Sequence, residues 1–220
     1  MFHEGHPLKS LSALTLADLR GREPVLALGS NQSPDQLARK FGDRNWGPIP
    51  VIRAKVLGYD SVYSAHIASY GSIPATLQEV GGVTASMFVT WLDQDQMMRM
   101  HETEIAGSNY SFGILDGLNT EIEVGPPIRE AYVYVSNHGY LCDAGRPIPL
   151  SGINAINRKR PDRSQLEVQQ LVRDFLEPCM EINEFIRASI KSREIRSQRT
   201  IQLQQLAQSS RLKSFKQIAI

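Results

Sequence analysis

The sequence predicts an α+β fold: a small mixed or antiparallel β-sheet or barrel with inserted helices, followed by a C-terminal helical extension. Apolar and β-branched runs dominate residues 25–136, and turns rather than regular crossover helices separate most of them. From Ser164 onward, apolar residues recur at helical spacing instead. This order argues against a doubly wound dinucleotide-binding domain, in which strands and helices alternate.

The composition is that of an ordinary globular protein. The 220 residues are 41% hydrophobic and 21% charged, with a net charge of +1. No apolar run approaches the roughly 18 residues of a membrane-spanning helix, and the N-terminus does not resemble a signal peptide. We therefore expect a cytoplasmic protein with no membrane partner. Cys142 and Cys179 lie far apart and in no metal-ligand spacing, so we expect neither a metal site nor a disulfide framework.

The pattern of elements along the sequence divides the chain into three predicted segments. These are a lead-in over 1–22, a main domain over 23–160 and a basic helical extension over 161–220. The first 157 residues contain 11 Lys and Arg against 16 Asp and Glu, whereas the last 63 contain 13 against 7. We favour a solvated helical face over nucleic-acid binding, because Lys and Arg normally face water. The extension is also a candidate surface for homo-oligomerisation.

The first element of the main domain is a short buried strand. An apolar run over 25–28 ends at Gly29-Ser30-Asn31, which predicts a strand followed by a polar loop. Ser33 precedes Pro34, and Gln36 follows three residues after Ser33. This spacing predicts a capping box and a helix over about 34–41.

More strands and a second helix follow. Residues 50–80 have strand character, Gly81-Gly82 predicts a turn, and residues 83–92 give the strongest strand signal. Asp93, with Gln96 three residues later, predicts the capping box of the next helix.

The remaining elements are strands and then helices. Strands are predicted over 110–115 and 128–136, with a hairpin turn at Asn137-His138-Gly139. Helical stripes follow from Ser164, Pro178 interrupts them, and we expect the end of the chain, 209–220, to fray.

Glu104 is the candidate catalytic residue of the second helix. At about 100° per residue, it falls on the face that Met97 and Met100 mark as buried, whereas Glu102 faces away. A carboxylate that continues an apolar face must find a partner, have its pKa raised or border a cavity. Each of these can produce a general base that works near neutral pH. The alternative is that Glu104 reaches solvent at the helix end or pairs with an arginine.

The loop after the first strand is the second candidate feature. A strand end followed by Gly29, Ser30 and Asn31 leaves backbone N–H groups free to hold an anion or a developing oxyanion. Taken alone, this segment is also compatible with a generic turn.

Together these features resemble the signature of the γ-glutamylcyclotransferase-like family. In that family a strand ends in a Gly-Ser-Asn loop, and a Gly-x-x-x-Ala-Thr segment, a further strand and a helix with paired acidic residues follow. The similar segments here occur in the same order: 25–37, 71–77, 85–90 and 100–104, with Tyr110 close behind. Within the last segment, Glu104 matches the family's acid/base, which is the residue that the helical face had already indicated.

The resemblance implies a cyclotransferase that acts on a γ-glutamyl amide or amine. The γ-glutamyl group closes to 5-oxoproline and the amine is released, with Glu104 as general acid/base and without a metal or cofactor. The residues expected to bind the substrate are Leu28, Gly29, Ser30, Asn31 and Tyr110.

The sequence also departs from the family pattern. Leu28 replaces a Tyr, Ile105 replaces a Gly, and the later pocket tyrosine corresponds to either Tyr132 or Tyr134. Two alternatives follow. One is a protein of the same fold that acts on another amide or binds a small acidic ligand without catalysis. The other is a protein that binds a partner through its basic helical tail.

Overall fold

The computed structural model describes residues 2–3, 6–7, 16–105, 108–210 and 212–220. The α-helices of this part of the chain are α1 (Pro34–Phe41), α2 (Gln94–Glu104), α3 (Gln165–Leu176), α4 (Ile182–Lys191) and α5 (Arg193–Leu203). Short 3-10 helices lie at Leu16–Leu19, Ser30–Gln32 and Gln204–Leu206. The strands are β1 (Phe2–His3), β2 (His6–Pro7), β3 (Glu23–Ala27), β4 (Val51–Tyr63), β5 (Ala75–Leu92), β6 (Tyr110–Leu115), β7 (Asn119–Ile122), β8 (Ala131–Ser136), β9 (Tyr140–Asp143), β10 (Arg146–Pro147), β11 (Ala155–Ile156), β12 (Ala207–Gln208) and β13 (Phe215–Gln217).

The main sheet is mixed and has eight strands. Its order is β13-β6-β8-β3-β5-β4-β7, and β11 adds to β5 outside this path. The β3–β8 pair is parallel and the other pairs of this sheet are antiparallel. A smaller sheet has the order β10-β9-β12. The α+β class predicted from the sequence is thus confirmed, with α1 and α2 inserted between strands.

Alternating side chains explain why the sheet forms. Along the first half of β4, Ile52, Ala54 and Val56 are buried, while the residues between them face outward. Because successive side chains of a strand point to opposite faces, this alternation places one face of β4 in the core. Leu77, Met87 and other residues of β5 are buried in the same cluster as Ala54 and Val56.

The C-terminal helices share a second core with the small sheet. Val172 and Phe185 pack in one buried cluster with Tyr63 of β4 and Leu141 of β9. Arg199 of α5 is also buried, and its guanidinium donates to the Phe185 carbonyl at 2.7 Å. The helices are therefore part of the packed body, while the boundaries of the three sequence segments stay predictions.

Three local expectations were wrong. Gly81-Gly82 is not a turn between strands but lies inside β5, opposite a register shift in β4 near Gly58. Gly82 has φ +82°, so it supplies a backbone conformation that other residues rarely adopt. Asn137-His138-Gly139 does not join a hairpin, because β9 leaves the main sheet and pairs with β10 and β12.

The third correction concerns the end of the chain. Residues 209–220 were expected to fray, but β13 pairs with β6 at the edge of the main sheet.

At α1, the helix and the position of its proline are as predicted, yet the Ser33 side chain makes no capping hydrogen bond. At α2, both bonds of the predicted capping box are present. Among the described helices, none combines the length and apolarity that crossing a membrane requires.

Candidate functional site

A cavity of about 920 Å³ lies beside the loop that follows β3. Its walls come from that loop, the ends of α1 and α2, the start of β6 and one side of α5. All six residues proposed from the sequence line it: Leu28, Gly29, Ser30, Asn31, Glu104 and Tyr110. The structure therefore brings the loop and the glutamate into one site, and the roles assigned to them stay predictions.

Glu104 is the last residue of α2 and is held by two partners. Its Oε1 accepts a hydrogen bond from Asn31 Nδ2 at 3.2 Å and forms an ion pair with the ammonium of Lys40. Its side chain is 15% exposed, whereas that of Glu102 is 65% exposed and pairs with Arg99. The predicted difference between the two glutamates is confirmed. The expected alternative of an arginine partner is not, since the cation is a lysine.

The second carboxylate oxygen of Glu104 is available. Among the residues that the structure describes, none donates a hydrogen bond to Oε2. Oε2 is also not one of the buried polar atoms that lack a hydrogen-bond partner, so it is accessible from the cavity. The carboxylate is thus fixed through one oxygen and can accept a proton or a hydrogen bond from a ligand through the other.

Lys40 is the residue that sequence reasoning missed. It is 5% exposed and reaches Met100 Sδ at 3.4 Å in addition to Glu104. A signal was present, because Leu37 and Phe41 mark the buried face of α1 and Lys40 falls on the same face. The helical-face reasoning used for α2 would have found it on α1.

The loop approaches β5 closely at its start, where Gly29 lies beside Ala75. A Cβ at Gly29 would lie 3.0 Å from Ala75 Cβ, which is tighter than ordinary van der Waals contact. The Ser61 hydroxyl donates to the Leu28 carbonyl, which anchors the loop to β4. Within the described residues, no acceptor takes the backbone N–H of Gly29, Ser30 or Asn31, so these donors are free for a ligand.

The tyrosines of the site act as hydrogen-bonding groups. The Tyr110 hydroxyl donates to the Ala75 carbonyl at 3.2 Å, and Tyr134 Oη lies 2.8 Å from His101 Nδ1. Burial raises the pKa of both tyrosines well above the usual value, with a smaller contribution from the Glu104 charge, so both stay protonated. Of the two tyrosines left open by the sequence, Tyr134 lines the cavity, whereas Tyr132 stacks on Phe112 elsewhere.

Two histidines of the cavity wall were also missed. His66 Nδ1 lies 2.7 Å from Ser64 Oγ, and its ring centroid is 4.7 Å from that of His138. Burial lowers the pKa of His66 to about 3, with a smaller contribution from His138, so the His66 imidazole is neutral. No periodic pattern in the sequence marks these residues, because they lie in loops after β4 and β8.

The comparisons found structural likeness only. No protein-family model and no curated protein matches the chain. Among solved structures, one titled "Gamma-glutamyl cyclotransferase" has a TM-score of 0.43 at 12% identity, over 59% of this chain and 72% of that one. The uncharacterized protein loc79017 from Homo sapiens has a TM-score of 0.43 at 12% identity, over 60% and 73%. YkqA from Bacillus subtilis has a TM-score of 0.40 at 15% identity, over 88% of this chain but only 58% of YkqA.

At these identities and TM-scores the likeness carries no functional argument. Function has to rest on the cavity itself, which holds Glu104, Lys40 and the loop in contact.

Proposed function

We propose that this chain converts a γ-glutamyl amide or amine to 5-oxoproline and the free amine, with Glu104 as general acid/base. One observation carries the proposal: Glu104 and the Gly29-Ser30-Asn31 loop line the same cavity. No residue that the structure describes bonds to Glu104 Oε2 or accepts from the three backbone N–H groups of the loop. The reaction needs a proton acceptor beside a binding site for negative charge. This cavity contains both, and they touch, because the Asn31 side chain of the loop donates a hydrogen bond to Glu104.

The first step is deprotonation. The α-amino group of the substrate is an ammonium near neutral pH and cannot attack until it loses a proton. Glu104 Oε2 takes that proton, and the amine nitrogen then attacks the γ-carbonyl carbon of the same molecule. Because the attack is intramolecular, correct orientation supplies much of the rate, with effective molarities of about 10⁵ M or more in well-oriented cases.

The second step is collapse of the tetrahedral intermediate. The carbonyl oxygen carries the negative charge while the ring closes, and protonated Glu104 delivers its proton to the leaving nitrogen. The C–N bond to the amine then breaks, and the ring nitrogen loses its second proton to solvent, from which the released amine takes one up. The products are 5-oxoproline and the protonated amine, and the Glu104 carboxylate is regenerated. The N–H groups of Gly29, Ser30 and Asn31 hold the oxyanion or the substrate α-carboxylate. One such donor contributes about 3 kcal/mol in comparable sites.

Lys40 and Tyr110 position this machinery. The Lys40 ammonium keeps the Glu104 carboxylate at the cavity wall, and the Tyr110 hydroxyl fixes the Ala75 carbonyl beside Gly29. Neither group takes a proton in the steps above.

The test is Glu104→Gln, which keeps the shape and removes the base. We expect 5-oxoproline release from γ-glutamyl amines or dipeptides to fall by about 10²–10⁴-fold, the usual contribution of a general acid/base. Glu102→Gln is the matched control, because it lies two residues away on the exposed side of α2. Equal losses for the two variants, or no loss for either, would reject the assignment.

A second candidate is a non-catalytic protein that binds a small acidic ligand in this cavity. The Lys40–Glu104 ion pair favours it, since such a pair can be purely structural. In that case the wild-type chain releases no 5-oxoproline from any γ-glutamyl compound, yet is stabilised against heat by a small dicarboxylate.

A further inference from the structure

We propose that Arg39, Arg193 and Arg196 form an anion subsite for the amine half of the substrate. The inference rests on the proposed function and adds to it: the favoured substrate is a γ-glutamyl amide whose leaving amine carries a carboxylate or phosphate. Arg39 belongs to α1, and the other two arginines belong to α5. All three line the cavity that holds Glu104.

The charges of the cavity wall are unbalanced. Its described lining contains four basic side chains, namely these three arginines and Lys40, against Glu104 as its one carboxylate. Glu104 is already paired with Lys40. Across the described parts of the chain, no carboxylate pairs with any of the three arginines. Uncompensated positive charge in a concave site raises the local concentration of anions.

The arginines are arranged for binding rather than for folding. Arg39 and Arg193 are exposed and make no hydrogen bond to a described residue. Arg196 is half-buried, and its Nη1 donates to the Ser189 carbonyl at 2.7 Å, which anchors one side of the guanidinium. A guanidinium presents paired N–H groups that match the two oxygens of a carboxylate or phosphate.

The size of the cavity supports a substrate with two recognised halves. About 920 Å³ lies at the upper end of the range of about 300–1,000 Å³ that suits drug-sized ligands. A γ-glutamyl group placed between Glu104 and the Gly29 loop leaves space for its amine half. A small anion also fits a concave wall better than a polynucleotide, which needs an extended basic surface.

Two of the three arginines of the subsite belong to the C-terminal part of the chain. The sequence segments that resemble the cyclotransferase family end before residue 137, whereas Arg193 and Arg196 come from α5. α5 is fixed in place by the buried Arg199, which donates to Glu177 at 2.7 Å and to the Phe185 carbonyl. The C-terminal helices therefore contribute to specificity as well as to the second core.

The test compares matched ligands that differ only in the charge of the amine half. Binding to the full-length Glu104→Gln variant and to the wild type is measured by calorimetry. The pairs are γ-glutamyl-β-alanine against its terminal amide, and γ-glutamyl-phosphoethanolamine against γ-glutamylethanolamine. We expect the anionic member of at least one pair to bind tenfold or more tightly than its neutral partner, and the two pairs separate carboxylate from phosphate recognition.

The arginine variants then locate the preference. Arg39→Gln combined with Arg193→Gln should remove most of the tenfold preference while leaving affinity for the neutral compounds unchanged. Arg187→Gln is the matched control, because Arg187 lies on α4 and does not line the cavity. Single-stranded RNA is a competitor in the same assay, and displacement of the anionic ligand by RNA at micromolar concentration would contradict the proposal.

The two proposals fail in different ways. Equal affinity within both pairs, or a preference that survives in the Arg39→Gln/Arg193→Gln variant, overturns the anion subsite even if the wild type releases 5-oxoproline. Absence of 5-oxoproline with retained preference for the anionic ligands overturns the catalytic proposal alone. If none of the four compounds binds, the anion subsite is overturned, and the catalytic proposal is then decided by 5-oxoproline release alone.

Discussion

Lys40 and Glu104 link two helices through charges that are largely removed from water. Glu104 is 15% and Lys40 5% exposed, and they belong to α2 and α1 respectively. Removing one partner of such a pair leaves the other charge desolvated, which is strongly unfavourable. The pair therefore has a structural effect that is separate from any role of Glu104 in catalysis.

A double-mutant cycle measures this effect. Lys40→Met should lower the free energy of unfolding by about 3 kcal/mol, since it leaves a carboxylate unpaired in a mostly buried position. Adding Glu104→Gln should recover part of that loss, which urea denaturation of the two single variants and the double variant would show. The exposed Lys55–Glu121 pair is the control, and it should show no measurable coupling. Strict additivity of the Lys40 and Glu104 variants would contradict the expectation.

His66 makes stability dependent on pH. Its pKa is lowered to about 3 in the folded protein, chiefly by burial, against an ordinary value near 6.5. The unfolded chain therefore binds a proton that the folded chain does not between these two values. The contribution of His66 to the free energy of unfolding is fully present above about pH 6.5. It decreases as the pH falls toward 3, by about 1.4 kcal/mol for each pH unit.

His66→Asn should reduce this dependence. At pH 5 the wild type loses about 2 kcal/mol relative to pH 7 through His66 alone, and the variant should not show this loss. Thermal unfolding of both proteins at pH 5, 6 and 7 measures the difference in slope. Identical slopes for wild type and variant would show that the pKa of His66 is the same in the folded and the unfolded chain.

At the scale of elements, the close contact between the Gly29 loop and β5 sets the shape of the site. A side chain at Gly29 would press on Ala75, whose carbonyl accepts the Tyr110 hydrogen bond. Gly29→Ala should therefore raise KM and lower kcat for γ-glutamyl substrates several-fold with little loss of thermal stability.

Two further variants make this prediction specific. Ala75→Gly removes the atom that the added methyl group at position 29 would meet, so the double variant should regain most of the activity. Gly81→Ala is the control, because nothing lies within 4 Å of a Cβ at that position. Failure of Ala75→Gly to rescue Gly29→Ala would show that the contact is not what limits the loop.

Local signals explain which elements were predictable. The α2 capping box of Asp93 and Gln96 and the proline start of α1 depend on neighbours within three residues, and both helices form where the sequence places them. The Gly81-Gly82 interpretation failed because a glycine pair suits a bulge within a long strand as well as a turn. The sequence thus predicted which segments form helices and strands, but it did not predict which strands pair with each other.

The site divides in the same way. Glu104 was predictable because the residues that mark its helix face lie within two turns of it. Lys40 and His66 come from other segments, and only the packing of α1 on α2 and of the loop after β4 brings them to the cavity. Arg193 lies more than 80 residues from Glu104 in sequence, so no local pattern connects the two.

At the scale of the whole molecule, the end of the chain braces the sheet that carries the site. β13 pairs with β6, which begins at Tyr110, and Phe215 packs against the main core. Residue 113 must be glycine, since a Cβ there would collide with the Lys216 carbonyl and the Phe215 ring. The C-terminus thus supports the strand from which Tyr110 enters the cavity, although the sequence suggested a frayed end.

Deleting residues 212–220 should therefore weaken both stability and turnover. We expect the melting temperature to fall by about 5 °C, which corresponds to about 2 kcal/mol at this chain length. Turnover should fall because β6, which begins at Tyr110, loses its edge partner along residues 113–115. Gly113→Ala should reproduce both losses in the full-length chain by displacing β13, whereas Gly152→Ala, with open space around its Cβ, should change neither. Both changes act on the contact between β13 and β6. If both variants have the melting temperature and the turnover of the wild type, β13 does not support the site.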